Sequence, residues 1–133
     1  MKPEELRYTR SHEWAHLDTS GDAPIVTVGI SAFAVEQLTD LVHIDLPEAG
    51  TQVTAGEPFG EVESVKAVSD VYSPVDGEVL EVNDSLSGNL ETLSTDPFGA
   101  GWMLKVKIAD ENQVSSLLSH DEYEKQVVEP ERE

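Results

Sequence analysis

The chain has 133 residues and a formal charge of −19, from 27 acidic against 8 basic side chains. Binding phosphates needs clustered lysine and arginine, so this balance argues against nucleic acid as a partner; it favours a soluble monomer steered toward basic surfaces. Without cysteine there is no disulfide, thiolate nucleophile or cysteine-based metal site, and no apolar run nears the ~18 residues of a spanning helix. The length predicts one domain, residues 1–133, with its core at about 8–128 and a loose tail at 129–133. The opening stretch has no apolar signal core and carries Glu4 and Glu5, unlike a transit peptide. The expected compartment is therefore the cytoplasm.

Strands come first. IVTVGI (25–30) sets Ile25, Thr27 and Gly29 against Val26, Val28 and Ile30. LVHIDL (41–46) alternates with Val42, Ile44 and Leu46 on one face until Pro47 closes it. Between them, SAFAVEQLTD reads as one short helix, with Ser31 as N-cap and Ile30, Ala34 and Leu38 at helical spacing. Glycine-centred turns at 47–50 and 54–58 lead to GEVES (60–64) and VSDVYSP (68–74), two runs joined at Lys66. PVDG then marks a turn before GEVLEVN (77–83).

WMLKVKI (102–108) predicts a half-buried strand. Trp102, Leu104, Val106 and Ile108 take one face; Met103, Lys105 and Lys107 take the other. The period then changes. Asp110 with Gln113, and Ser119 with Glu122, have capping-box spacing; Val114, Leu117 and Leu118 mark one short helix, and Tyr123 and Val127 another. Short strands with frequent turns predict a mainly β sandwich or barrel carrying helices outside. GEPFGEVES (56–64) echoes GEVLEVNDS (77–85) on either side of Lys66, as in a pseudo-symmetric fold.

Five lysines are present, and Lys66 alone sits at an expected hairpin tip, near Glu61, Glu63 and Asp70. A lysine acting as a free amine must be desolvated or set beside another cation, whereas these carboxylates favour the ammonium. Two readings stay open on spacing alone: a solubilising turn lysine, which is the commoner case, or an address that another enzyme acylates. The four histidines read as ordinary polar residues rather than a zinc set: His12 and His16 have the spacing of one helical face, but Trp14 and the surrounding EWAHLD indicate an extended chain. Neither a nucleophile elbow nor a phosphate-binding glycine loop occurs. The sequence carries no catalytic apparatus of its own.

ESVKAVSD (63–70) followed by YSPVDGEVLEVN (72–83) resembles the lipoyl-attachment motif of the glycine cleavage system H-protein family. The likeness extends through YTRSHEW (8–14), DLPEAG (45–50), AGEPFGEVESVKA (55–67), DPFGAGWMLKVKI (96–108) and LLSHDEY (117–123). Within 83–97, Leu90 replaces a usual proline and Ser94 a usual asparagine. The resemblance implies a lipoyl/biotinyl-type barrel-sandwich hybrid with one short helix in the first half and helices at the end. It implies a non-catalytic carrier whose Lys66 amine is amide-linked to lipoic acid. The dithiolane takes the aminomethyl group from glycine decarboxylase, passes it to aminomethyltransferase and is reoxidised by dihydrolipoamide dehydrogenase.

Further implications follow from the same likeness. A lipoylating enzyme would read Glu63, Ser64, Val65 and Ala67. The loaded arm would dock against Ser11, Glu13, Ala34, Leu38 and Asp70, within a surface that includes 29–38, and Glu13 would pair with its cationic amine. Roles for Ser11 and Glu13 as hydrogen bonders at a strand edge are an equal alternative. No metal is implied. Three rivals remain: a biotin carrier, which usually flanks its lysine with methionines where Val65 and Ala67 stand; an H-like carrier serving lipoyl relay or sulfur metabolism; and an unmodified acidic module.

Overall fold

A computed structural model describes residues 3–38 and 40–125. Val127, expected in the last helix, and the tail at 129–133 lie outside the described residues. The described residues form nine strands: β1 (Arg7–Tyr8), β2 (Glu13–Asp18), β3 (Ile25–Ile30), β4 (Leu41–Asp45), β5 (Gln52–Val53), β6 (Pro58–Ser64), β7 (Val68–Tyr72), β8 (Gly77–Val82) and β9 (Leu104–Lys107). They make a six-stranded sheet, in the order β1-β2-β3-β9-β8-β5, and a three-stranded sheet, β4-β6-β7. The apolar faces meet in one core, where Val26, Val28 and Val106 of the first sheet are buried with Ile44, Val62 and Val71 of the second. The mainly β barrel-sandwich expected from the sequence is the fold observed.

Among the described residues, four short α-helices surround the sheets: α1 (Ala32–Leu38), α2 (Glu91–Thr95), α3 (Asn112–Ser115) and α4 (His120–Tyr123). Ser31 caps α1 as its position predicts, its hydroxyl accepting the Ala34 N–H at 3.2 Å. The capping box at Ser119 and Glu122 forms and starts α4. The other one does not. Asp110 instead accepts the Asn112 N–H, and the Gln113 amide leaves its own helix to bond the backbone of Asp76 in both directions, at 2.7 and 3.2 Å.

Three more expectations are corrected by local geometry. Val42 is 50% exposed, because the register between β4 and β6 slips between Leu41 and His43. The extra residue turns Val42 outward while Ile44 stays buried. Met103 is fully buried beside Leu104, since the strand begins only at Leu104 and Met103 sits where its N–H reaches Val28 O. The echoed runs, now β6 and β8, lie in different sheets and do not pair.

The stretch 83–97 holds a 3-10 turn (Asp84–Gly88) and α2, which burial of Leu86 and Leu93 anchors to the core. Leu90 has φ −63°, the value a proline would impose, so its replacement of proline leaves the backbone path intact.

A second cluster, Leu6, Tyr8, Trp14 and Tyr123, joins α4 to the outer strands. Trp14 lies opposite Gly29 across β2 and β3, and a Cβ at Gly29 would sit 2.6 Å from the indole. Gly29→Ala is therefore expected to lower stability by about 1–3 kcal/mol. A urea denaturation midpoint equal to that of the parent chain would show that Trp14 yields without cost.

Candidate functional site

The β6–β7 hairpin sets Lys66 at its tip. Glu63 faces Val68 and Val62 faces Ser69, which leaves residues 64–67 to reverse the chain. Ser64 closes this turn alone. Its N–H donates to Ala67 O at 2.8 Å; its hydroxyl accepts the Lys66 and Ala67 N–H groups at 3.2 and 3.1 Å and donates to Ala67 O at 3.2 Å. The Val65 N–H donates to Asp40 O, tying the tip to the start of β4.

Lys66 is exposed on this fixed turn, and its side chain makes no ion pair among the described residues. Val65 and Val68 flank it at 65% and 55% exposure, an apolar collar in a very acidic chain. Of the four residues expected to address a modifying enzyme, Glu63, Val65 and Ala67 are exposed, while Ser64 is buried and builds the turn.

Further along β7 lies a cleft of about 340 Å³. Ser11, Glu13, Ala34, Leu38 and Asp70, expected from the sequence to share a docking surface, all line it. Gly29 does not; it packs under Trp14 instead. β7 is an edge strand of its sheet, and α1 forms the apolar wall through Phe33, Ala34 and Leu38.

Glu13 closes the floor. It is 1% exposed, and its Oε1 accepts the hydroxyls of Ser11 and Thr9 while Oε2 accepts the Tyr72 N–H at 2.9 Å. Burial pushes this carboxyl up from the usual range, against the lowering pull of the Ser11 and Thr9 hydroxyls and the Tyr72 N–H. No cation contributes to that balance. A desolvated carboxylate beside an apolar wall is suited to an ammonium group on a hydrocarbon stem.

Sequence reasoning missed His12, Val62, Ser69 and Val71, which also line the cleft. His12 was set aside as an ordinary polar histidine, and nothing in its spacing told of its left-handed backbone, φ 78°. The three valine and serine positions follow from β6 and β7 pairing. Among the described residues, no three metal-binding side chains converge. No helix is long and apolar enough to cross a membrane.

The family model described as Glycine cleavage H-protein matches residues 6–130. The chain belongs to the glycine cleavage H-protein family. It is 53% identical to the glycine cleavage system H protein of Rubrobacter xylanophilus over 97% of both chains. It is 52% identical to a probable glycine cleavage system H protein of Haloarcula marismortui, over 94% of this chain and 95% of that one. The crystal structure of a glycine cleavage system H protein from Mycobacterium marinum superposes with a TM-score of 0.82 at 43% identity, covering 92% of this chain and 96% of that one. H proteins are non-catalytic lipoyl carriers of the glycine cleavage system, and in this one the tip and the cleft lie on the same hairpin.

Glu13 gives a signed pH effect. A carboxyl with a raised folded value contributes stability that is fully present below its unfolded value near 4.5 and lost as pH rises through the folded value. Relative to the parent, Glu13→Gln should thus be more favourable at neutral than at acid pH, by urea unfolding of both chains. An offset equal at the two pH values would contradict the raised carboxyl.

Proposed function

We propose that Lys66 carries lipoic acid as an amide on Nζ, and that the chain is a cytoplasmic, monomeric shuttle of the glycine cleavage system. The observation that supports this most directly is the exposure of Lys66 on a turn that Ser64 fixes from beneath. A modifying enzyme needs an accessible amine in a constant frame, and the buried serine supplies that frame. Exposed Glu63, Val65 and Ala67 are what such an enzyme meets first.

Lipoic acid supplies the disulfide that takes up an aminomethyl group and later returns as a dithiol to be reoxidised. The protein's own part is to present the arm, shelter its load and release it. Glycine decarboxylase, aminomethyltransferase, dihydrolipoamide dehydrogenase and a lipoylating enzyme are the partners this reading requires. Contacts with several enzymes in turn must be transient, and the strong acidic field raises encounter rates more than affinity.

From the turn that holds Lys66, β7 runs two residues from Val68 to Asp70, about 7 Å at strand rise, to the lining of the cleft. A cofactor-extended side chain spans this path and lays its end in the cleft. There Glu13 holds the cationic amine of the load, Ser11 and Thr9 keep the carboxylate oriented, Asp70 adds a second negative charge, and Ala34 and Leu38 cover the hydrocarbon.

Intact mass of the protein from its native host should show one lipoyl increment, mapped to Lys66 by fragmentation and absent in Lys66→Arg. Lys66→Arg should also abolish glycine breakdown in a reconstituted system; retained activity refutes the attachment. Glu13→Gln should shorten the lifetime of the loaded arm about tenfold or more, as expected for losing a charge-assisted hydrogen bond. An unchanged lifetime would remove Glu13 from the docking role.

A further inference from the structure

His12 lines the cleft but has no part in the carrier reading, and its surroundings are elaborate. Its ring centroid lies 5.0 Å from that of Phe33 on α1 and 5.8 Å from that of Tyr123 on α4. Its Nδ1 is 2.7 Å from the Tyr123 hydroxyl, which is also 2.7 Å from Ser31 Oγ. Ser31 and Tyr123 are each 2% exposed. The Ser31 N–H returns to His12 O at 2.9 Å. Three elements thus meet at one phenol: the loop before β2, the N-cap of α1 and the final described helix.

The direction of the hydrogen bonds follows from counting donors. Each hydroxyl has one hydrogen, and Ser31 Oγ already accepts the Ala34 N–H. Among the described residues, the Tyr123 oxygen is the acceptor available to the Ser31 hydroxyl. Tyr123 must then donate onward to His12 Nδ1, which leaves the imidazole proton on Nε2. The reverse order, with Nδ1–H donating, would send the Tyr123 hydrogen to Ser31 and strand the buried serine hydrogen without an acceptor.

We propose that Tyr123 is a positioning residue of the cleft: a one-way relay from Ser31 through Tyr123 holds His12 as the neutral Nε2–H tautomer, so the cleft around Glu13 bears no positive charge of its own to oppose a cationic load. The purpose assigned to the relay rests on the carrier reading above; the relay itself does not. Glu13 on β2 and Asp70 on β7 line the cleft with His12, and Glu124 just beyond α4 acts on Tyr123; each would favour an imidazolium at the end of the relay. α1 lines the cleft with uncharged Phe33, Ala34, Gln37 and Leu38, and its carboxylate, Glu36, is exposed outside that lining. Burial nevertheless lowers the proton affinity of His12 and raises that of the Tyr123 phenol to about 12, both of which keep the relay neutral. Acidification reverses it: an imidazolium must donate from Nδ1, which adds positive charge beside Glu13 and loosens α4 from the two cleft walls.

Two-bond 15N–1H NMR on the full, unlipoylated chain reads the tautomer directly. The expected result at neutral pH is a protonated Nε2 and an unprotonated Nδ1 for His12, with a titration midpoint below 6.5. Tyr123→Phe keeps the ring stacked on Tyr8, whose centroid is 4.5 Å away, and removes only the oxygen. In that variant the tautomers should mix, the midpoint should rise, and the loaded arm of the lipoylated form should leave the cleft several-fold faster. An Nδ1–H tautomer in the parent chain overturns the proposal without any variant. So does a Tyr123→Phe chain with the parent's tautomer, midpoint and arm lifetime. Should Glu13→Gln leave the arm unaffected while His12 behaves as expected, the docking reading fails and the relay stands.

Discussion

The Tyr72 N–H donated to Glu13 joins the two sheets at the place where function is expected. β7 is an edge strand, so its outward backbone groups need partners that its own sheet does not offer. A carboxylate from the start of β2 supplies one of them. The same carboxylate is fixed by two hydroxyls of its own loop, so loop, sheet edge and buried charge form one unit. Removing the carboxylate leaves the Tyr72 N–H without it, which is costlier than the bond itself, whereas Oε1 keeps one hydroxyl when the other is lost.

That unit has consequences in both directions along the chain. Toward the tip, β7 runs from the cleft to Val68 without interruption, so the orientation of the Lys66 turn is referred to Glu13 through a single strand. Toward the C-terminus, the loop holding Ser11 and Glu13 also holds His12, whose left-handed backbone puts its ring against Phe33 and Tyr123. A non-glycine residue keeps such a backbone only where its surroundings over-determine it. Here the phenol, the aromatic pair and the Ser31 backbone do so together.

The period-2 runs were legible because each strand buries a face, and burial writes alternation directly into residue type. Ser31 and the Ser119–Glu122 box were legible because capping is a local affair of a few residues. Val42 and Met103 were misread for a shared reason: a bulge and a late strand start shift the phase, and neither leaves a mark on composition. Leu86 and Leu93 anchor helical turns too short for a periodic signal to build. The cleft residues named from the sequence came from family resemblance rather than from spacing. Ser11 sits in the loop before β2, Ala34 on α1 and Asp70 on β7, and long-range bonds such as Tyr72 N–H to Glu13 and Ser31 N–H to His12 O bring them together.

Charge ties these parts into a working cycle for the proposed carrier. Before modification, Lys66 is an exposed cation on the tip, with no ion-pair partner among the described residues. Acylation removes that charge, so an unloaded arm on the proposed reading carries nothing for Glu13 to hold. Loading returns a positive charge to the far end of the arm, where the nearest desolvated carboxylate is Glu13. An exposed pair is worth little in water, whereas a pair shielded by Phe33, Ala34 and Leu38 is screened far less. On the proposed reading, one acidic chain thereby distinguishes an empty arm from a full one, holding the full one against hydrolysis and leaving the empty one mobile. The discrimination needs no change of fold, only a cleft lined by the carboxylates Glu13 and Asp70 and by no lysine or arginine, which is why a neutral His12 beside Glu13 matters to it.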